Sequence, residues 1–224
     1  MTELAIYDMD RTITRTGTFT PFMIHAAAHL APWRLVFAPA AAMVALAYAA
    51  RLIERKSVKE INQRLMVGHG VSQARFRAVA ESFADRIMQM NVHKGALAAI
   101  AADRAAGRRL VMATASSRLY VESIAARLGF DDVIATNGVK GLDDYVSPRI
   151  DGENCYGPAK LRMIEAWMAA QGLRREDCTI RFYSDHASDA PVLEWADQPF
   201  AVNAHTRLRR IAKAKGWPML DWGI

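Results

Sequence analysis

Cysteine is scarce in this chain of 224 residues, in which Cys155 and Cys178 are the only two. Two cysteines cannot build the disulfide framework of a small secreted protein, so the cytoplasm is the expected location. The first ten residues lack the basic start and apolar run of a signal peptide, since Glu3, Asp8 and Asp10 lie there. Internal repeats, low-complexity tracts and flexible linkers are also missing. A chain of this length can bury a sizeable core, as one domain with an insertion or as two domains.

Acidic residues are few in one part of the chain, residues 17–94. That segment contains ten Lys or Arg but four Asp or Glu, and so carries the whole formal net charge of +6. A basic segment on a neutral body indicates an anionic partner: a phosphorylated substrate, an acidic lipid surface or nucleic acid. For any single residue, a solvated helical face is an equal alternative. No recognisable nucleic-acid-binding module accompanies the charge, so specific nucleic-acid binding is not expected.

Short apolar runs bounded by polar residues or glycine predict five strands. They are Leu4–Tyr7, Arg109–Thr114, Val133–Thr136, Ile180–Ser184 and Phe200–Val202. Helical patterns between them cover Gly95–Ala106, Arg118–Leu128, Pro158–Gln171, Ala190–Ala196 and Leu208–Lys215. Strands that alternate with helices need crossover connections. The pattern therefore predicts an α/β fold with a doubly wound, mainly parallel, five-stranded Rossmann-like sheet.

Residues 17–94 interrupt this alternation with a purely helical pattern. The predicted helices are Thr20–Leu30, Trp33–Arg55, Val58–Val67 and Ser72–Gln89. Proline, serine and glycine residues separate them. We therefore predict an α-helical insertion at 17–94 in an α/β core made of residues 1–16 and 95–224.

Two carboxylates follow the first predicted strand. Asp8 and Asp10 are two residues apart, so they share one face where the strand remains extended. Open α/β sheets bind ligands at the carboxyl ends of their strands, which makes this pair a candidate site. An Asp-rich turn after an edge strand is the alternative.

Four more polar residues lie at strand ends or helix starts. Thr114 precedes a helix whose free N–H groups favour an anion; the alternative is a plain helix cap, a role that Ser116 or Ser117 could fill equally well. Lys160 lies in the first turn of a helix, where a cation opposes the helix dipole unless it faces an anion; a surface lysine is the alternative. Asp185 and Asp189 follow the fourth strand as candidate oxygen ligands of a hard cation, or as a turn and helix cap.

In this order, the residues resemble the four motifs of the haloacid dehalogenase (HAD) superfamily of phosphohydrolases. The match consists of D-x-D-x-T at Asp8, Asp10 and Thr12, a hydroxyl at Thr114, a cation at Lys160, and D-x-x-x-D at Asp185 and Asp189. The helical insertion resembles the C1 cap of that superfamily. Residues 129–132, 154–157, 201–203 and 216–218 resemble its phosphoserine-phosphatase-like IB subgroup. The motif order and cap placement also resemble the phosphatidylglycerophosphatase C type.

The resemblance implies a phosphatase that works in two covalent steps. Asp8 would attack phosphorus to form an aspartyl-phosphate. Asp10 would protonate the leaving oxygen and then activate water for the second step. Thr114 and Lys160 would bind the phosphoryl oxygens.

The same resemblance implies a Mg²⁺ site. Asp8, the backbone carbonyl of Asp10 and Asp185 would hold the ion, and Asp189 would support it. A phosphotransferase of the same fold is one alternative. A non-catalytic binding or regulatory protein that uses the basic cap is the other.

The substrate is less well defined by these motifs. Phosphoserine phosphatases have a Glu nine residues after the nucleophile, associated with the substrate amine, whereas this chain has Gly17. Phosphoserine is therefore not the expected substrate, and a small phosphorylated metabolite or a lipid phosphate is. Arg11, where the family commonly has a small residue, is assigned no role.

Charged residues are missing from 35–50, between Arg34 and Arg51. A helix of this length covers about 24 Å, short of the roughly 30 Å hydrocarbon core of a bilayer. Three alternatives follow: a helix buried in the cap or in a dimer, peripheral contact with the inner face of the membrane, or a lining for an apolar substrate. We favour the buried helix, because apolar runs of nearly this length are common in protein cores.

Overall fold

A central sheet joins the strands of the described residues, 1–140 and 144–223. In this computed structural model the sheet has seven strands, β1 (Thr2–Tyr7), β2 (Arg109–Ser117), β3 (Asp132–Lys140), β4 (Val146–Asp151), β5 (Cys178–Ser184), β6 (Gln198–Val202) and β7 (Met219–Leu220). Their order across the sheet is β4-β3-β2-β1-β5-β6-β7. All neighbours run parallel except β3 and β4. The predicted doubly wound, mainly parallel α/β sheet is confirmed.

The predicted number of five strands is too low, because the sheet gains a strand at each edge. The additional β4 pairs antiparallel with β3 and contains Pro148, which an edge strand tolerates. The additional β7 is two residues long and pairs with β6. Neither strand has the continuous apolar run that marks a central strand, so apolar patterning did not identify them.

Strand β1 lies at the centre of the sheet and is buried on both faces. Successive side chains point to opposite faces, so Ala5 and Tyr7 join one apolar cluster while Leu4 and Ile6 join the other. Tyr7 is level with Met112 of β2 and with Tyr183 of β5. The carboxyl ends of three neighbouring strands therefore meet at one edge of the sheet, where open α/β folds bind ligands.

Helices cover both faces of the sheet and fill the insertion. The insertion contains α1 (Phe19–Leu30), α2 (Ala38–Ala49), α3 (Arg55–Met66) and α4 (Gln73–Met90). The rest of the described chain contains α5 (Lys94–Ala105), α6 (Arg118–Leu128), α7 (Pro158–Ala170), α8 (Ala190–Trp195) and α9 (Thr206–Lys215). The helical character predicted for residues 17–94 agrees with this arrangement.

One predicted helix, Trp33–Arg55, is wrong in extent. Residues Pro32–Phe37 form a 3-10 helix, α2 follows, and Arg51 has a positive φ of 61° that ends the helical path. Pro39 lies in the first turn of α2, where the missing N–H costs little, so the α-helix begins there rather than earlier. Within the described chain, no residue of Pro32–Ala49 is buried, so burial in the cap is wrong; burial in a dimer, the other form of the favoured alternative, stays a prediction.

An aromatic cluster attaches the insertion to the core. Phe22 of α1 stacks on Tyr120 of α6 with ring centroids 4.2 Å apart, and Phe83 of α4 packs edge-on against both rings. All three side chains are fully or almost fully buried. The apolar core therefore continues from the sheet into α1 and α4.

A buried carboxylate connects α5 to the sheet. Asp103 is 1% exposed and accepts hydrogen bonds from the hydroxyls of Tyr7 and Tyr183. Its other oxygen lies 2.6 Å from a guanidinium nitrogen of Arg181 and 3.3 Å from one of Arg108. Strands β1 and β5 are thus joined beneath the ligand-binding edge by one ionic group whose partners are all supplied by the protein.

Replacing Asp103 by Ala is expected to destabilise the protein by about 3–5 kcal/mol, because two tyrosine hydroxyls and the Arg181 guanidinium lose their buried partner. Urea unfolding at neutral pH measures the change. Glu122→Ala is the control: it removes an exposed pair with Arg118 and is expected to cost less than about 0.5 kcal/mol. Equal effects of the two substitutions would contradict this account.

Candidate active site

The backbone pairing between β1 and β5 extends one residue beyond the end of β1, which places Asp8 at the ligand-binding edge of the sheet. The Asp8 N–H donates to the Tyr183 carbonyl oxygen at 2.9 Å. The Lys160 ammonium, in the first turn of α7, donates to Asp8 Oδ1 at 2.7 Å and to Asp189 Oδ2 at 2.6 Å. All three side chains are buried. Lys160 is therefore a buried lysine that forms ion pairs with two carboxylates, and not a surface lysine.

Thr12 connects the first and fourth motifs. Its hydroxyl lies 3.3 Å from Asp8 Oδ2 and 3.4 Å from Asp185 Oδ1, and it accepts from the Asp185 N–H at 3.0 Å. On the other side of Asp185, the carboxylate lies 3.2 Å from Nε2 of His205. Asp8 and Asp185 are thus held next to each other with a single hydroxyl between them.

The electrostatics of this cluster favour an additional cation. Burial raises the pKa of Asp8 above its ordinary value; Lys160 opposes the rise, and Asp189 and Asp185 add to it. Burial and Asp189 likewise raise the pKa of Asp185. Asp189 Oδ1 is buried and has no hydrogen-bond partner. Three carboxylates facing one ammonium are costly to bury unless another positive charge joins them.

Asp10 has a separate environment. Its Oδ1 accepts from the N–H and hydroxyl of Thr18 at 2.7 and 2.8 Å, and its Oδ2 accepts from the Ser116 hydroxyl at 2.7 Å. The Thr18 hydroxyl also lies 3.0 Å from the Tyr120 hydroxyl in the core. The Asp10 carboxylate is therefore oriented by the end of β2 and the start of the insertion, and not by Lys160.

The six predicted site residues, Asp8, Asp10, Thr114, Lys160, Asp185 and Asp189, line one cavity of about 570 Å³. Thr114 is buried, and its Oγ1 accepts from the Ser116 N–H at 3.1 Å. The structure thus brings together residues from both ends of the chain. Their individual roles remain predictions.

Residues 5–194 match the family described as haloacid dehalogenase-like hydrolase. The chain belongs to this family. The match spans the first motif, the helical insertion and the acidic fourth motif, which are the features on which the resemblance was based. The predicted HAD family is thereby confirmed.

Similar proteins extend this result. A protein of Streptomyces azureus named inhibition of morphological differentiation protein is 34% identical over 220 residues, which are 97% of this chain and 78% of that protein. Phosphoserine phosphatase SerB1 of Mycobacterium tuberculosis is 28% identical over 155 residues, 69% of this chain and 49% of that protein, so the match spans about half of it. A crystal structure of a protein of unknown function from Bordetella pertussis Tohama I superposes with a TM-score of 0.89 at 25% identity and covers 99% of each chain. The family match, together with the phosphatase among these relatives, confirms the predicted enzyme type, an HAD-type phosphatase.

Several residues of this cavity were not assigned to the site from the sequence. They are Arg55, Tyr156 and His205, together with Arg11, which was assigned no role. His186 also lines the cavity; it was a candidate for substrate contact because it follows Asp185. The Arg55 guanidinium lies 4.1 Å from the centre of the Tyr156 ring, and Arg11 Nη1 lies 3.3 Å from His205 Nε2. Arg55 is one of ten basic residues in the insertion, and nothing local distinguishes it from the others. For His205, no signal in the sequence indicated contact with Asp185.

Helix α3 carries a second, polar contact between insertion and core. Lys59 is buried, and its ammonium donates to the Ala115 carbonyl oxygen and to Asn154 Oδ1. One turn further, Gln63 Nε2 donates to the Ser147 carbonyl oxygen at 3.1 Å. Ala115 follows Thr114, and both residues line the cavity, so Lys59 supports a segment of the cavity wall.

Burial and the neighbouring Arg55 lower the pKa of Lys59 from 10.5 to about 7. Between about pH 7 and 10, the unfolded chain therefore binds more protons than the folded chain, and this residue makes stability rise with pH. Wild type is expected to gain up to about 1.4 kcal/mol per pH unit relative to Lys59→Met in that window. Urea unfolding at a series of pH values measures the difference.

Lys59→Arg is the matched control for this prediction. It keeps a buried cation and a donor but does not titrate in the same range, so its stability is expected to run parallel to that of Lys59→Met. A difference between wild type and Lys59→Met that stays constant from pH 6 to 9 would show that Lys59 keeps the same charge throughout.

Proposed function

We propose that this chain is a Mg²⁺-dependent phosphomonoester hydrolase that works through an aspartyl-phosphate on Asp8. One observation carries the proposal: the buried Lys160 ammonium contacts Asp8 in a cavity that also contains the Thr114 hydroxyl and the Asp10 carboxylate. A phosphomonoester needs its negative charge neutralised, its phosphorus held in line with a nucleophile, and a proton for the leaving oxygen. Each requirement has a residue in this cavity.

The carboxylates fit a hard divalent cation. Asp8 and Asp185 would hold Mg²⁺ with the backbone carbonyl of Asp10, and Asp189, whose Oδ1 has no partner, would support it. Across residues 1–140 and 144–223, no three His, Cys, Asp or Glu side chains form a metal cluster by themselves. Two carboxylates and a main-chain oxygen do not require such a cluster. When bound, the ion would neutralise phosphoryl charge and relieve the repulsion between the buried acids.

The first covalent step uses the two motif-one acids. An oxygen of Asp8 forms a bond to phosphorus while the bond from phosphorus to the ester oxygen breaks, and protonated Asp10 gives its proton to that leaving oxygen. In the second step, Asp10 takes a proton from water as the water oxygen bonds to phosphorus. The acyl phosphate then breaks, which releases inorganic phosphate and Asp8. Thr114 and Lys160 hold the phosphoryl oxygens in both steps.

The substrate is a small phosphorylated metabolite or a lipid phosphate. Gly17 lines the cavity, and a Cβ placed there would meet no atom within 4 Å. Open space therefore occupies the position of the Glu that accompanies phosphoserine in the IB subgroup. Arg55 lines the same cavity and favours an anionic leaving group over an amine. An alcohol in place of water in the second step would make the enzyme a phosphotransferase.

Asp8→Asn is expected to lower the hydrolysis of a generic aryl phosphate about a thousandfold or more, because the nucleophile is lost while the cavity keeps its shape. Removal of divalent ions by EDTA is expected to abolish the wild-type activity, and excess Mg²⁺ to restore it. Released phosphate is the measurement.

Asp151→Asn, an exposed residue of β4 outside the cavity, is the control for this substitution and is expected to keep full activity. Activity that survives Asp8→Asn would rule out the aspartyl-phosphate. A wild-type protein inactive with Mg²⁺ on all phosphomonoesters would favour the binding or regulatory alternative.

Ser116→Ala removes one of the three hydrogen bonds that orient Asp10, and is expected to lower kcat about tenfold with little change in KM. Ser123→Ala, a buried serine that donates to Glu81 far from the cavity, is the control. An equal loss in both variants would assign the effect to stability.

A further inference from the structure

The insertion presents an apolar surface that no part of the described chain covers. Pro32–Ala49 is the one helical stretch of the described residues that is long and apolar enough to cross a membrane by length and composition, and none of it is buried. Its large side chains Trp33, Val36, Met43 and Leu46 are 61–71% exposed. We call these four residues the α2 face.

The outward side of this segment is as apolar as its inward side. Half-buried positions recur at Phe37, Ala41, Val44 and Ala47, the spacing of a helical stripe, and α2 packs against α3. A helix that covers a soluble core usually has a polar outer side. Between Arg34 and Arg51 there is no charged residue on either side. The α2 face therefore matches a second apolar environment and not bulk water.

Charge distinguishes the occupants of such a surface. Residues 17–94 carry the net charge of +6, and Arg34 and Arg51 flank the apolar stretch directly. A symmetric contact between the α2 faces of two copies would bring two such segments together, which like-charge repulsion opposes. A surface of anionic lipid headgroups would instead attract the same basic residues.

The packing of α2 determines its orientation. The α-helical part alone, α2, has twelve residues and covers about 18 Å, less than the hydrocarbon core of a bilayer; the segment reaches a membrane-spanning length only together with the 3-10 helix Pro32–Phe37. An Arg34 guanidinium nitrogen donates to the Leu65 carbonyl oxygen of α3 at 2.9 Å, so the segment lies alongside a helix that is rich in charge. Only an orientation parallel to the membrane keeps α3 in water. Trp33 and Tyr48 then lie near the two ends, where aromatic rings favour the headgroup region.

We propose that the α2 face binds the surface of an anionic phospholipid bilayer, with Val36, Met43 and Leu46 at the boundary between headgroups and acyl chains. Arg34 and Arg51 would remain among the headgroups. This contact is independent of the phosphatase activity. Arg55, which lines the catalytic cavity, follows α2 by six residues, so the bound membrane would lie beside the cavity.

Sedimentation with vesicles tests the contact. The full chain is expected to pellet with phosphatidylcholine vesicles that contain about 30 mol % phosphatidylglycerol, to pellet less in high salt, and to stay in solution with phosphatidylcholine alone. The double variant Met43→Glu/Leu46→Glu is expected to reduce the bound fraction about tenfold or more, because two apolar anchors are replaced by acids.

Met90→Glu is the matched control, since Met90 is 66% exposed and Met43 is 64% exposed. Both variants are expected to keep the wild-type melting temperature and the activity on a soluble aryl phosphate. No pelleting with anionic vesicles, or pelleting that the double variant retains, would overturn the proposal. So would a dimer in solution, measured by light scattering, that the double variant dissociates while vesicle binding is absent, because a second copy would then cover the α2 face.

Discussion

The buried ammonium of Lys160 is the interaction on which the site depends. It joins Asp8 at the end of β1 to Asp189 in the turn after β5, and so connects residues that are 181 positions apart in the sequence. One cation does not balance the carboxylates around it. Asp185 contacts His205 instead of Lys160, and Asp189 Oδ1 has no hydrogen-bond partner. The imbalance supports our proposal that a divalent cation binds here together with a phosphate, because each would compensate the charge that the other brings.

Contacts of two kinds hold the insertion over this cavity. The α4 side shares aromatic residues with α6 and continues the apolar core, while α3 reaches the core through polar side chains such as Lys59 and Gln63. Exposing apolar contacts to water costs free energy, whereas polar groups can replace their protein partners with water molecules. The insertion is therefore attached to the core by apolar contacts on the α4 side and by polar contacts on the α3 side, which carries Arg55.

The local sequence pattern predicted much of the fold, but it failed where the burial or pairing of a segment depends on the surrounding structure. Buried central strands such as Leu4–Tyr7 need apolar residues on both faces, so their runs were visible. The edge strand with Pro148 needs no such run and was missed. Residues 35–50 were predicted to be buried because they are apolar. Burial, however, depends on what packs against a helix, and in the described chain only one side of α2 packs against another helix.

The sequence by itself determined the α/β alternation, the helical insertion and the order of the acidic, hydroxyl and basic motif residues, because these depend on side-chain type and on spacing along the chain. Only the tertiary structure decided which basic residues of the insertion matter. Lys59 and Arg55 reach the core and the cavity, while Arg34 caps carbonyl oxygens of α3, although all three are ordinary cations in a charged segment. When remote segments pack together, they determine the burial and the neighbours of each side chain. These two factors give residues of the same type different chemistry.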